Sequence, residues 1–450
     1  MASDTEARPE VDPKTVKKAV IASAVGNATE WFDYSVFTAG VMTSAVGTLF
    51  FPEGGVSPAI KSLALLAVGF IVRPFGGAFF GPLGDKLGRR KVLALTIILM
   101  SGCTFLVGCL PTYSGSYSAG IVAPIAIVLL RLVQGFSTGG EYGGAATFIA
   151  EYAPTRRRGF FGSFLEMGTL FGYILGQVTV LVIVLACTHE QILAWAWRIP
   201  FMIALPLGMV GLYLRSRLED TPEFQRMEAA GGKAAKAPFG EAIKRNWRMI
   251  LCLIGMVMLL NIADYMLLTT MPTYFQDTLH IDDNKAILLI IGIEAVQIAL
   301  IAPLGKLSDR IGRKPLLLAS AIGFAVLSWP SFKLMQTGST LLLIIGYLIV
   351  GILLVMMLAV IGSTFPAMFP TRVRYGAFAI GYNLSTSIFA GTCPVIVTAL
   401  INATGNPDWP AYYLTAAALI AIIPIVKIPE TANVPIGRVR EEGKLAPAPV

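Results

Sequence analysis

The sequence predicts an all-α membrane protein, with twelve transmembrane helices in two six-helix, pseudo-symmetric halves. Three observations carry that prediction: a composition too apolar for water, twelve apolar runs of spanning length, and a loop motif that occurs twice. The 450 residues are 55% hydrophobic and only 14% charged, whereas a soluble domain carries about 25% charged residues. Mean hydropathy is +0.70. No water-soluble fold hides that much apolar surface, so lipid must be part of the solvent.

A helix crosses a bilayer with roughly 20 apolar residues. Runs of that kind fall at 19–46, 60–83, 91–111, 120–150, 160–187, 194–214, 249–278, 286–305, 315–334, 339–366, 375–402 and 409–428. The longest polar stretch, 215–248, lies between the sixth and seventh runs and holds eight Lys or Arg residues. It reads as a linker between an N-terminal half, 19–214, and a C-terminal half, 249–428. Residues 1–18 and 429–450 are then terminal tails.

Of the 35 Lys and Arg residues, 29 fall in the tails, the linker and the loops on the same side. Only Lys61, Lys285 and Lys333 fall on the other side, and Arg73, Arg131 and Arg198 lie within runs. Positive charge collects on the cytoplasmic face, so both termini and the linker are expected in the cytoplasm. The polar start of the chain has no short apolar core with a small-residue cleavage site, so no removable leader is expected.

The net charge of +8 does not point to nucleic acid. Its basic residues sit in short clusters between apolar runs, without the aromatic–basic platform that nucleic acid needs. Cys103, Cys109, Cys187, Cys252 and Cys393 all fall in apolar runs and read as packing residues. With only His189 and His280 besides, no metal site or cofactor is expected. A membrane enzyme would also lack a nucleophile–base arrangement.

The halves repeat one another. Gly81-Pro82-Leu83-Gly84-Asp85-Lys86-Leu87-Gly88-Arg89-Arg90 follows the second run, and Gly305-Lys306-Leu307-Ser308-Asp309-Arg310-Ile311-Gly312-Arg313-Lys314 follows the eighth. Pro154-Thr155-Arg156 is echoed by Pro370-Thr371-Arg372, and Glu219-Asp220-Thr221 by Glu430-Thr431. Three echoes at corresponding places argue for duplication.

At these residues the chain resembles the major facilitator superfamily, whose loop motif between the second and third helices it carries twice. Gly26-Asn27-Ala28-Thr29-Glu30-Trp31-Phe32-Asp33, Arg73-Pro74-Phe75-Gly76-Gly77, Gln134 through Tyr142 and Trp197-Arg198-Ile199-Pro200 are similar to the metabolite:proton symporters of that superfamily. The resemblance implies alternating access about a central site, with protons driving uptake of a small solute. Met266 through Pro272 and Phe365 through Thr371 are similar to members that carry proline or glycine betaine. Osmosensing members end in a long cytoplasmic coiled coil; the sequence here has no heptads after the twelfth run.

Ionisable side chains within a membrane cost roughly 2.5–3.5 kcal/mol each on insertion scales and are functional candidates by default. Glu30 and Asp33 share one face of the first run, among Trp31, Phe32 and Tyr34. Carboxylates held away from water can exchange protons in the working pH range, so Glu30, Asp33, Glu141, Asp264 and Glu294 are the candidates for proton coupling. The bland alternative for the first two is an ion pair with an intramembrane arginine, and Arg131 reads as such a partner. Gln134, Thr138, Glu141 and Tyr142 share a glycine-rich stripe that reads equally as a site or a packing seam.

Arg73 is placed to hold a carboxylate bidentately, and Trp31, Phe32, Tyr34, Tyr142 and Tyr265 to cage a quaternary ammonium. Asn383 and Gln134 complete the expected solute site. Arg198 is expected either to face the site or to snorkel beside Trp197. Asp85 with Arg89, and Asp309 with Arg313, are the expected gates. The reading is a proton symporter importing a small zwitterion such as proline or glycine betaine. The alternatives are a symporter for an acid such as 2-oxoglutarate, citrate or a shikimate-like acid, and a non-transporting sensor on the same scaffold. Expected partners are the solute, protons and membrane lipid; no oligomeric state is specified.

Overall fold

The computed structural model describes residues 12–54, 58–115, 117–217, 225, 239–370 and 374–436. Most of the expected linker, residues 1–11 and residues 437–450 lie outside the described residues. Among those described, eleven helices are long and apolar enough to cross a membrane. In chain order the spans after the first are Pro58–Leu87, Arg89–Cys109, Val122–Tyr152, Arg158–Ala186, Arg198–Ser216, Phe239–Tyr265, Asp283–Ile311, Arg313–Met335, Thr340–Thr364, Arg374–Ser385 continued by Cys393–Thr404, and Trp409–Lys427. With Pro13–Thr38 they make the expected twelve.

The first span differs from its expectation at both ends. It begins at Pro13, inside the expected tail, because Asp12 caps the helix by accepting from the Lys14 amide at 3.2 Å and Pro13 suits the first turn. It then breaks at the extended Ala39 and resumes as Gly40–Phe50. Thr43 Oγ1 donates to the Phe37 carbonyl at 2.7 Å, occupying an acceptor that the break frees.

A second irregularity has a covalent cause. Pro272 has no N–H, so the carbonyls four and five residues before it, Leu268 and Leu267, lose their helical donor. The chain runs here as a π turn, Met266–Thr270. Tyr347 Oη donates to the Leu267 carbonyl at 3.0 Å, and Tyr173 Oη donates to that of Leu268. Two tyrosines from other spans thus satisfy what the proline removes.

Both repeated motifs end in a hairpin of helices, not a loop. The second span runs to Leu87 and the eighth to Ile311; each next span starts after one glycine. Gly88 at φ 98° and Gly312 at φ 103° hold a backbone that side chains strain to adopt, which is why glycine recurs at these two places. In the Pro-Thr-Arg echo Thr371 and Arg372 lie outside the described residues, but the arginines four residues after each proline correspond. Arg158 Nε donates to the Ala150 carbonyl and Arg374 Nε to that of Pro366, each at 3.0 Å and each eight residues back.

The first span packs on the fifth and sixth, and the second on the fourth. The halves meet where the second span lies on the eleventh and the fifth lies on the eighth and tenth. The glycine stripe of the fourth span is a seam: a methyl at Gly139 would strike the Arg73 carbonyl, and one at Gly76 that of Phe136. Exposed Ile71, Phe75, Ile121 and Leu185 fit a surface solvated by lipid.

Candidate functional site

Midway along the N-terminal half the buried acids meet arginines. Arg73 Nη2 donates to Glu30 Oε1 at 3.1 Å and to Tyr34 Oη at 2.9 Å. Arg131 Nη1 donates to Asp33 Oδ2 at 2.7 Å, and its guanidinium lies 3.3 Å from the Phe37 ring centre. Arg215 reaches in from the end of the sixth span, donating to Glu141 Oε1 at 3.0 Å and to the Leu93 carbonyl at 2.6 Å. Glu166 meets no arginine among the described residues; it accepts from Tyr142 Oη at 2.5 Å and Thr169 Oγ1 at 2.9 Å. A small polar pocket inside this half brings Glu30, Asp33, Tyr34, Arg131, Gln134 and Thr138 together.

Where the halves touch, rings collect around Arg73. Trp31 lies 5.6 Å from Tyr34 and 5.9 Å from Tyr265, and Phe70 lies 5.7 Å from Tyr34 and 5.4 Å from Tyr265, centre to centre. The Arg73 guanidinium sits 4.7 Å from the Phe70 centre and 5.3 Å from that of Tyr34. Its Nε has no hydrogen-bond partner among the described residues. The Tyr34, Phe70 and Tyr265 rings also line a crevice between the halves, with Thr38, Thr269 and Ala390 above them. Tyr34 and Phe70 thus flank a cation with a spare donor, and Trp31 and the C-terminal half's Tyr265 pack on those rings, beside a crevice.

Other expected site residues fall elsewhere. Phe32 is fully buried, makes none of these ring contacts, and its carbonyl lies against Gly176 of the fifth span. Gln134 donates to Thr104 Oγ1 at 2.6 Å, which ties the fourth span to the third. Tyr142 stacks on Tyr382 at 4.1 Å, and Asn383 donates to the Gly139 carbonyl at 2.6 Å, so both link the halves. Arg198 lies away from these rings and beside Trp197, 4.3 Å from its ring centre, where it donates to the carbonyls of Gly108 and Leu110 at 2.8 and 2.6 Å and closes the end of the third span. In the C-terminal half, Asp264 and Glu294 are 5% and 1% exposed and form no ion pair among the described residues.

The basic end of the bundle is closed by charge. Both oxygens of Asp309 accept backbone N–H groups that start the fifth span, Gly159 at 2.7 Å and Phe160 at 2.9 Å. A carboxylate from the C-terminal half therefore caps a helix of the N-terminal half, where the helix dipole favours it. Asp309 lies only 3.9 Å from Arg313, whose stronger bonds go to the carbonyls of Ser363 and Thr431, each at 3.1 Å. Glu430 caps the ninth span by accepting from the Arg313 and Lys314 amides. The side chain of Asp85 and the echoing Glu219 lie outside the described residues.

Arg89 pairs with Glu151, and Glu151 also accepts from Arg374 Nη1 of the other half at 2.6 Å. All three side chains are fully buried. Glu151, Arg215 and Arg374 escaped the sequence reading because each lies at a span end among charges that orient the chain. The Pro154-Thr155-Arg156 echo marked the neighbourhood of two of them, and a carboxylate three residues before that proline was the missed signal.

Comparison with known proteins places this architecture. Residues 18–240 match the family described as sugar (and other) transporter, and residues 257–448 match the major facilitator superfamily. The chain is 42% identical to the glycine betaine/proline/ectoine/pipecolic acid transporter OusA of Dickeya dadantii, over 95% of this chain and 86% of the relative. The proline/betaine transporter of Escherichia coli shares the same identity and coverage. A putative proline/betaine transporter of Staphylococcus aureus is 39% identical over 92% of this chain and 88% of its own length. Among solved structures, the proton:xylose symporter XylE bound to 6-bromo-6-deoxy-D-glucose superposes with a TM-score of 0.78, at 18% identity, covering 95% of this chain and 98% of that one; that likeness speaks for the fold. The relatives are named transporters, not enzymes, and this chain belongs to the major facilitator superfamily of membrane transporters.

Proposed function

We propose that the protein is a proton-coupled symporter of the bacterial inner membrane that imports a small zwitterionic solute, proline or glycine betaine. The observation that carries this reading is Arg73, which keeps an unfilled donor among Trp31, Tyr34, Phe70 and Tyr265 at the junction of the halves. A guanidinium suits the solute carboxylate. Aromatic faces suit a quaternary ammonium, which is drawn to ring quadrupoles and has no N–H that needs a hydrogen-bond acceptor. The names of the relatives at 42% identity support the same solutes.

The Arg73–Glu30 pair offers a route to coupling. Arg73 spends one nitrogen on Glu30, so the solute carboxylate competes with Glu30 for the guanidinium. A proton taken up by Glu30 removes that competitor and leaves no buried charge unpaired when the solute carboxylate replaces it. Proton and zwitterion then bind best together and leave together, as symport requires. One charge moving through about 150 mV supplies roughly 3.5 kcal/mol, enough for accumulation of a few hundred-fold.

The charge bias supports a cytoplasmic position for both termini and the linker, 215–248. Halves 19–214 and 249–428 would then rock about the central site. The Asp309 and Glu151 links close the cytoplasmic side and must break for release, which assigns them to the gate. Uptake of labelled glycine betaine, proline, citrate and 2-oxoglutarate into proteoliposomes under an imposed pH gradient tests the reading. Betaine or proline should accumulate and a protonophore should abolish it at constant sodium. Accumulation of the acids alone, or uptake that follows sodium, would replace the reading with another.

A further inference from the structure

Among the described residues, Asp264 and Glu294 are membrane acids that neither an arginine nor, as at Glu166, a hydrogen-bonding hydroxyl serves. Both oxygens of Glu294 and Oδ1 of Asp264 are buried without a hydrogen-bond partner among the described residues. Glu294, on the eighth span, is faced by Tyr173 of the fifth, Tyr347 of the tenth and Asp264 of the seventh. Asp264 is faced by Glu166, Tyr173 and Tyr382, beside its neighbour Tyr265. No arginine, lysine or histidine pairs with either carboxyl among the described residues. The hydroxyls of Tyr173 and Tyr347 are spent on the carbonyls that Pro272 leaves open, so they do not donate to the acids. Asp264 lies two residues before the π turn at Met266–Thr270, and the eighth span, which carries Glu294, packs on the fifth span of the other half.

An isolated carboxylate in apolar surroundings is too costly to keep charged, and it takes a proton instead. Two carboxyls that share a site cannot both ionise even when water reaches one of them. We propose that Asp264 and Glu294 form a second proton site, separate from Glu30, which holds two protons while the halves are closed together and releases one when they part. The inference rests on the symport reading: it raises the count from one proton per solute to two.

The count is read at static head, with wild-type protein in liposomes and the membrane potential clamped to zero. Each coupled proton sustains about a tenfold solute gradient per pH unit. Wild-type protein should reach about 100-fold glycine betaine accumulation per pH unit, and the double variant D264N/E294Q about tenfold. The single variant Glu294→Gln, which keeps the site polar, should show the same drop and serves if the double variant does not fold. A wild-type gradient of only about tenfold, or variants that still reach 100-fold, would overturn the second site. Equally, sodium raising the melting temperature of wild-type protein but not of E294Q at fixed pH would make it a metal-ion site and overturn the proton reading. Absence of any proton-driven uptake by the wild type would instead overturn the symport reading, and this inference with it.

Discussion

The two halves share a backbone plan and treat the acids buried within their spans in opposite ways. In the N-terminal half Glu30, Asp33, Glu141 and Glu151 each meet an arginine, and Glu166 takes hydrogen bonds from Tyr142 and Thr169. In the C-terminal half Asp264 and Glu294 meet neither. The repeat itself shows the divergence: Arg158 and Arg374 make the same backbone bond eight residues back, but Glu151 lies beside the first acceptor and Ala367 beside the second. Duplication kept the arginines that close helix ends and altered the acids. The lesson is that symmetry sets the scaffold, while the charge that differs between halves is where solute and proton chemistry are to be sought.

Removing an arginine should therefore hurt most. Arg73→Ala strands Glu30 in the interior; breaking a buried pair from one side costs about 3–5 kcal/mol. We expect uptake to fall at least 100-fold and the melting temperature to drop, both measured on purified protein. Arg131→Ala should destabilise by a comparable amount through Asp33.

The cage sharpens the solute assignment. Trp31→Ala should weaken glycine betaine binding by more than Arg73→Lys does, because the quaternary ammonium depends on aromatic faces alone. Calorimetry on the two variants decides: wild-type affinity in Trp31→Ala with no binding in Arg73→Lys would favour a di- or tricarboxylate solute.

At the basic end, Asp309→Asn puts an amide where two backbone N–H groups need an acceptor. It should slow turnover severalfold and leave solute affinity unchanged, since the cap lies far from the site. Loss of equilibrium affinity with normal turnover would contradict its role as a gate.

The smallest effect belongs to the far end of the C-terminal half. Burial pushes the Asp408 carboxyl up, but hydrogen bonds from Lys333 and Gln336 outweigh it and hold the group below the usual carboxylate range. A depressed folded-state value contributes stability that is present at neutral pH and lost as pH falls through it. Asp408→Asn should thus lower the melting temperature slightly at neutral pH and not at all in strong acid.

Much of this was legible beforehand. Hydropathy placed the spans because lipid rewards long apolar runs whatever their packing. The paired motifs placed the helix hairpins because Gly88 and Gly312 need a conformation that other residues resist. Glu30, Asp33, Arg73, Tyr34, Trp31 and Tyr265 were legible as a group because each is costly or conspicuous in a membrane. Phe32 was not separable from Trp31 by composition, although helical spacing puts it near Ser35, which bonds the Tyr173 carbonyl on the fifth span. Arg215 and Arg374 looked like orienting charge, and only three dimensions show them buried against Glu141 and Glu151.

The contrast between the halves is tested most directly by infrared spectroscopy of the protein in lipid at neutral pH. A protonated carboxyl gives a C=O stretch well separated from the carboxylate bands. The wild type should show that band, Asp264→Asn and Glu294→Gln should each diminish it, and Asp33→Asn, which removes the partner of Arg131, should leave it intact. A band untouched by the first two variants and lost in the third would mean that the arginine-paired half carries the neutral acids, contrary to the account.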